Sequence, residues 1–180
     1  MKYKNWIALF SQTGSEIAAL SESINRKPDF VITNADLDDI DSRVHVDFKV
    51  TNEEAKTLDI LEDLDFKIDK TLITLNGWLR IVPPDKCKKY NIYNGHPGLI
   101  TKYPELKGKD PQQRAWDNLH KYDFVGSVVH KVVEEVDAGE IVAREFLSSS
   151  SLVTLDDTYD ALRTTSFTAW YRFLKERLYN

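Results

Sequence analysis

The sequence predicts an α/β fold: a single Rossmann-like domain with a mostly parallel twisted sheet flanked by helices. Three observations carry this expectation. Short apolar runs alternate with amphipathic segments, as in βαβ units. Turn residues follow the apolar runs, at Thr13-Gly14-Ser15 and again at Gly77. The length of 180 residues fits one such domain with a substantial core, so residues 1–180 are expected to form one unit.

Trp6 to Phe10 is the first apolar run and ends at Ser11-Gln12-Thr13-Gly14-Ser15. Ile17, Leu20 and Ile24 then recur at helical spacing. Phe30 to Thr33 reads as a second strand, and Val44 to Val50 alternates as a third. Glu53 to Leu64 reads as a helix with Leu58 and Leu61 on one face. Thr71 to Leu75 is a buried strand. Asp110-Pro111 is a helix start, with Asp as cap, Pro in the first turn and Ala115, Trp116 and Leu119 as the inner stripe. Two β-rich runs follow, Val125 to Glu134 and Glu140 to Leu147, joined around Asp137-Ala138-Gly139. Asp156-Asp157 is expected to cap a long terminal helix that lays Tyr159, Leu162, Phe167, Trp170, Phe173 and Leu174 on the sheet.

Composition narrows the function classes. Apolar residues make up 42% and charged residues 29% of the chain, which are ordinary globular values. A net charge of −5 argues against a broad nucleic-acid face, which needs a basic excess. The lone Cys87 allows no internal disulfide and suits a reducing compartment; despite Lys86, Lys88 and Lys89 beside it, it is expected to be an unreactive thiol. No secretory leader opens the chain and no apolar run reaches membrane-spanning length, so a cytoplasmic protein with no membrane partner is expected. Nothing in the sequence specifies an oligomer.

The residues with chemical potential are Asn94-Gly95-His96-Pro97-Gly98, then His130 and Asp137. Asn94 and His96 alternate, so in an extended segment their side chains share a face. An imidazole and an amide can donate to a developing oxyanion, and a carboxylate can orient the imidazole or relay a proton. Taken alone, an Asn-x-His segment fits a turn with satisfied side chains more readily than a catalytic pair. A zinc site from His96, His130 and Asp137 lacks the paired His or Cys spacing such sites use, so no metal is expected. No Gly-x-Ser-x-Gly elbow is present for a serine hydrolase. His45 and His120 read as surface residues.

Three ordered blocks resemble the folate-dependent formyltransferases, in particular the glycinamide ribonucleotide (GAR) transformylase type. They are Leu75-Asn76-Gly77-Trp78-Leu79-Arg80-Ile81, then Asn94-Gly95-His96-Pro97-Gly98-Leu99-Ile100-Thr101-Lys102-Tyr103, then Gly126-Ser127-Val128-Val129-His130 with Asp137-Ala138-Gly139 beyond it. The resemblance implies formyl transfer from 10-formyltetrahydrofolate to a primary amine of a small nucleotide or phosphosugar acceptor, GAR by default, with Asn94, His96 and Asp137 as catalytic residues. His130 takes a supporting place behind them. The folate ring is expected against Leu79, Arg80, Ile81 and Val82 on one side and Val133, Glu134, Glu135 and Val136 on the other, largely through backbone groups. The acceptor is expected at Thr13, Gly14, Ser15, Glu16 and Gly77. Alternatives are hydrolysis of the formylated folate and a binding module without catalysis; retention of Asn94, His96 and Asp137 argues against the latter.

The chain also departs from the family pattern. Where the family carries Gly-Asn-Gly-Ser-Asn as a phosphate cradle, this chain reads Gln12-Thr13-Gly14-Ser15-Glu16, and Glu16 is expected to repel a phosphate unless it turns away. The family's ribose-contacting Glu would fall near Thr165 to Phe167, where no acid is present. Gly98 replaces a usual Ser and Thr101 a usual Pro. The stretch from Pro104 to Tyr122 is expected to reshape one wall of the acceptor pocket, and the catalytic site is expected to be polar and open to solvent.

Overall fold

The computed structural model describes residues 2–179. Seven strands form one sheet in the order β3-β2-β1-β4-β5-β6-β7. They are β1 (Asn5–Phe10), β2 (Phe30–Thr33), β3 (Phe48–Lys49), β4 (Thr71–Leu75), β5 (Ile92–His96), β6 (Phe124–Lys131) and β7 (Ile141–Ser148). The first five are parallel; β5 pairs β6 and β6 pairs β7 antiparallel. The helices are α1 (Ser15–Ile24), α2 (Glu54–Thr57), α3 (Ile60–Asp63), α4 (Pro84–Lys89), α5 (Pro111–Asp117) and α6 (Leu155–Arg177). The strand order reverses between β1 and β4, so the crevice beyond their carboxyl ends is the natural ligand position.

Alternation along β1 sorts the core. Trp6, Ala8 and Phe10 pack with Ile17 and Leu20 of α1 and with Ala169, Trp170, Phe173 and Leu174 of α6. Ile7 and Leu9 pack on the other face with Ala55, Leu58, Leu61, Cys87 and Ile92. A third cluster joins Leu99, Leu106, Ala115, Val125 and Val128 to Ala161 and Leu162 of α6. Cys87 is buried, and burial raises its thiol pKa, as an unreactive cysteine requires. Gly95 in β5 lies under Trp170: a Cβ there would stand 2.3 Å from the indole Nε1. Only glycine lets α6 seat against that strand.

Four local expectations are corrected. The third strand shrinks from Val44–Val50 to two residues, because the Asp47 side chain accepts the Val31 N–H at 2.8 Å where a backbone partner would extend the ladder. The helix expected from Glu53 to Leu64 is two short helices separated at Leu58, whose φ is 55°. That break still buries both Leu58 and Leu61. Asp110 precedes α5 in a left-handed conformation and its side chain makes no cap; Ala115 is buried and Leu119 packs partly, while Trp116 is half-buried. At α6 the cap is Thr154: its hydroxyl accepts from the Asp157 N–H at 3.1 Å, and the Asp157 carboxylate accepts from the Thr154 N–H at 2.9 Å.

This reciprocal cap predicts that Thr154→Ala costs about 1 kcal/mol of folding stability, whereas Asp156→Ala costs a few tenths at most. Urea unfolding followed by circular dichroism distinguishes the two variants.

Candidate active site

The β5–β6 register sets Asn94 opposite His130 and His96 opposite Val128. Asn94, His96 and His130 therefore share one sheet face, and the β6–β7 loop folds back over it with Asp137. That return is tight. A Cβ on Gly139 would overlap the Lys131 carbonyl, at 1.7 Å, and Asp137 itself has φ 52°. Left-handed backbone is uncommon for a non-glycine residue, and Asp is among those that tolerate it.

Asp137 lies between two imidazoles. Its Oδ2 is 3.3 Å from His96 Nδ1 and its Oδ1 is 3.3 Å from His130 Nε2. The Asn94 amide nitrogen lies 3.3 Å from His130 Nε2, which closes a chain of contacts from Asn94 through His130 and Asp137 to His96. Thus the three residues expected to be catalytic fall in one cluster, and His130 joins Asn94 to Asp137. His96, His130 and Asp137 are all buried. The solvent-open site expected from sequence is corrected: a loop covers it.

That loop, Pro104 to Asp110, is where sequence reasoning fell short. The Leu106 carbonyl sits 2.8 Å from His96 Nε2, and the Gly108 N–H donates to Asp137 Oδ2 at 2.8 Å. Arg114 pins the loop from α5, donating to the carbonyls of Glu105 at 2.8 Å, Lys107 at 2.7 Å and Leu106 at 3.3 Å. Gly98 permits this closure, since a Cβ there would stand 3.1 Å from the Leu106 Cβ and 3.3 Å from the His96 ring. From sequence, the stretch from Pro104 to Tyr122 was expected as a wall of the acceptor pocket; the structure lays its Leu106 and Gly108 directly on the His96–Asp137 pair.

The surroundings set the charge states. Burial pushes the Asp137 carboxyl up, but the His130 hydrogen bond, the His96 charge and the Gly108 N–H outweigh it and bring the pKa down to about 2. Burial holds the His96 imidazole below its ordinary value, and Asp137 only partly offsets this. His96 is therefore neutral at neutral pH. The close approach of Nε2 to the Leu106 carbonyl places its single proton on Nε2, a tautomer inferred from the contact.

The remaining candidate residues divide into two groups. Leu79, Ile81, Val133 and Val136 are exposed apolar side chains. Val82 is buried in the cluster that also holds Cys87 and Val132, so both loops rest on the same core. Glu134 and Glu135 are exposed. The Arg80 side chain instead donates to Asn52 Oδ1 at 2.6 Å.

Gly14 caps α1 with φ 71°, and Gly77 turns the chain beyond β4 with φ 74°. Thr13 and Ser15 bond to each other through their hydroxyls at 3.0 Å. Glu16 turns inward. Its carboxylate accepts from Asn76 Nδ2 at 3.0 Å and from the Ser166 hydroxyl at 2.7 Å. A carboxylate thus stands beside Ser166 although α6 supplies no acid there; it comes from α1. Burial raises the Glu16 pKa, and the hydrogen bonds from Ser166 and Asn76 oppose that rise.

Residues 6–172 match the formyl transferase family. The chain is 33% identical over 100 residues, 49% of its length, to a phosphoribosylglycinamide formyltransferase of Dictyostelium discoideum, the match covering 47% of that protein. It is 40% identical over 73 residues, 39% of its length, to the enzyme of that name from Haemophilus influenzae, covering 32% of that relative. The matched stretch thus spans less than half the length of either curated relative. Among solved structures, phosphoribosylglycinamide formyltransferase from Campylobacter jejuni superposes with a TM-score of 0.77 at 20% identity, over 98% of each chain. This last likeness shows a shared fold.

A depressed imidazole pKa ties stability to pH. The unfolded chain takes up the His96 proton first as pH falls, so the contribution of neutral His96 is present above about pH 6.5 and is lost on acidification through that range. Asp137 adds a second loss between about pH 4 and pH 2. The urea midpoint is expected to fall more between pH 7.5 and pH 5 for the native sequence than for His96→Gln.

Proposed function

The chain belongs to the formyl transferase family, and from that membership we propose that it moves the formyl group of 10-formyltetrahydrofolate to a primary amine on a small nucleotide or phosphosugar acceptor. GAR is the default acceptor, by similarity to the named relatives. The observation that carries the proposal is the convergence of Asn94, His96, His130 and Asp137 into one contact chain beneath a loop.

The exposed apolar side chains of Leu79, Ile81, Val133 and Val136 suit a flat heteroaromatic ring held mainly by backbone groups. Bound there, the folate would supply a formyl carbonyl whose oxygen gains negative charge as an amine adds, after which the bond from the formyl carbon to the folate nitrogen breaks and that nitrogen takes the proton the amine loses. His96 Nε2–H is the first donor to that charge, once the Leu106 carbonyl releases it, and the Asn94 amide is the second. Each such donor is worth about 3–4 kcal/mol at most. Asp137, ionised at neutral pH, lies 3.3 Å from His96 Nδ1, where it would stabilise positive charge that develops on the ring when that nitrogen takes up a proton. His130 donates to Asp137 through Nε2 and keeps that carboxylate ionised, with Asn94 beside it on the same sheet face. The covering loop must shift for the acceptor nitrogen to reach His96, and its withdrawal and return would admit reactants and then exclude water.

Incubating the protein with 10-formyltetrahydrofolate and a panel of amines, while following deformylated folate and formylated acceptor together, tests the reading. Parallel release of both supports transfer. Folate turnover with no formylated amine points to hydrolysis, and no turnover points to a binding module. Asp137→Asn is expected to lower kcat by about 10²–10⁴. Because Asp137 is buried and bonded, the same change also costs about 1–3 kcal/mol of stability, so kcat is to be measured well below the variant's melting temperature.

Glu16 sets the affinity for GAR. Although its carboxyl group turns inward, it stays in the first turn of α1 and occupies Asn76 and Ser166, polar partners in the crevice where a phosphate would gain from the helix N-terminus. GAR is therefore expected to be a poor acceptor. Glu16→Asn is expected to improve its kcat/KM about tenfold, through KM more than kcat, because the phosphate is remote from the reacting centre. Steady-state kinetics with GAR as the varied substrate gives both constants.

A further inference from the structure

Beyond the carboxyl ends of β1, β2 and β3, on the far side of β1 from Asn94 and His96, lies a cavity of about 470 Å³. Gln12, Asn34, Asp36, Asp39, Asn52 and Arg80 line it. It shares Thr13 with the proposed acceptor region and Arg80 with the expected folate loop, but Gln12, Asn34, Asp36, Asp39 and Asn52 have no part in the proposed formyl transfer.

The cavity wall is organised. Asn34 Nδ2 donates to Asn52 Oδ1 at 2.8 Å, and Arg80 Nη2 donates to the same oxygen at 2.6 Å. Arg80 Nη1 is engaged by the Leu79 carbonyl at 2.9 Å. Asn34 Oδ1 is buried and accepts no hydrogen bond, a cost that a rearranged amide meeting a ligand donor would remove. Asp36 is offset by Lys49 at 3.6 Å, and Asp39 is exposed.

The lining chemistry selects a ligand class. Among the described residues, Ala35 is the one apolar side chain in the wall, so a nucleobase would find no surface to stack on. Arg80 spends two of its N–H groups on the Leu79 carbonyl and Asn52, and two carboxylates, Asp36 and Asp39, share the wall, which disfavours a phosphate. Amides and carboxylates at several angles match a ligand dense in hydroxyl groups. Strands lie about 4.8 Å apart, so the three steps from β2 to β5 span roughly 14 Å. That span exceeds a single sugar ring.

We propose that this cavity is an acceptor subsite holding the distal ring of an amino disaccharide whose amine reaches the Asn94–His96 site. The proposal rests on the transferase reading for the word acceptor and on the cavity alone for sugar binding. It explains why the chain can carry Glu16 where a phosphate would otherwise sit: affinity comes from hydroxyls held beyond β2.

The probe is the β-1,4-linked dimer of glucosamine, compared with glucosamine itself, titrated without folate into nitrogen-15-labelled protein. The dimer is expected to shift the side-chain amide resonances of Asn34 and Asn52 and to bind at least tenfold more tightly than the monomer. Asn52→Ala should abolish that preference. Asp39→Asn, an exposed change that leaves the fold intact, should reduce it at least threefold and keeps the test readable if Asn52→Ala unfolds. Unshifted amides, equal affinity for monomer and dimer, or a preference that survives both substitutions overturns the subsite. Dimer binding at these amides without formyl transfer to any amine leaves the sugar site standing and removes the transferase reading. Transfer to a small amine with no dimer binding does the reverse.

Discussion

The Asp137 carboxylate sits between the rings of His96 and His130, at 3.3 Å from each. Such a charge is tolerated in a buried position because the His130 ring and the Gly108 N–H donate to it and the His96 ring lies against it. A buried carboxylate without them would cost several kcal/mol or take up a proton. The surrounding structure serves that arrangement. β5 and β6 pair in the register that places Asn94 against His130, Gly139 makes the return turn possible, and Asp137 accepts a left-handed backbone to reach both rings.

The covering loop follows from the same constraint. Leu106 and Gly108 supply a carbonyl and an N–H to groups that would otherwise face water, and Arg114 fixes three consecutive carbonyls of the loop. The closed arrangement satisfies the site at rest but uses the His96 nitrogen that formyl transfer requires. Exchange of an internal partner for a reacting oxygen costs little electrostatically, because the donor remains bonded on both sides of the change. Loop movement therefore becomes part of the proposed reaction cycle rather than an accessory to it.

At the sheet's parallel half, Glu16 shows how one substitution redistributes a binding region. Sequence comparison finds an acid missing from the terminal helix and an unexpected acid on the first helix, and treats them as two separate losses. In three dimensions they are one feature. The Glu16 carboxyl group crosses the crevice to the Ser166 hydroxyl and the Asn76 amide, so an acidic side chain still stands beside α6, supplied by α1.

Periodicity and turn chemistry determined the sheet elements well wherever burial on both faces imposed an apolar run. β1, β2 and β4 and the long terminal helix are all legible from local sequence. Alternation put Asn94 and His96 on one strand face, but it was the resemblance to the formyltransferases, not the spacing, that joined Asp137 to them. The shortened third strand, the break at Leu58 and the Thr154 cap were decided by side chain to backbone bonds, which compete with regular structure at close range and leave no periodic trace. Only tertiary structure could reveal the Leu106 carbonyl on His96, the reach of Glu16 to Ser166 and the polar cavity beyond β2. Each joins segments far apart in the chain, and the physical reason is common to all three: a hydrogen bond or a cavity depends on where packed elements bring their polar groups, whereas local sequence records only which groups are available.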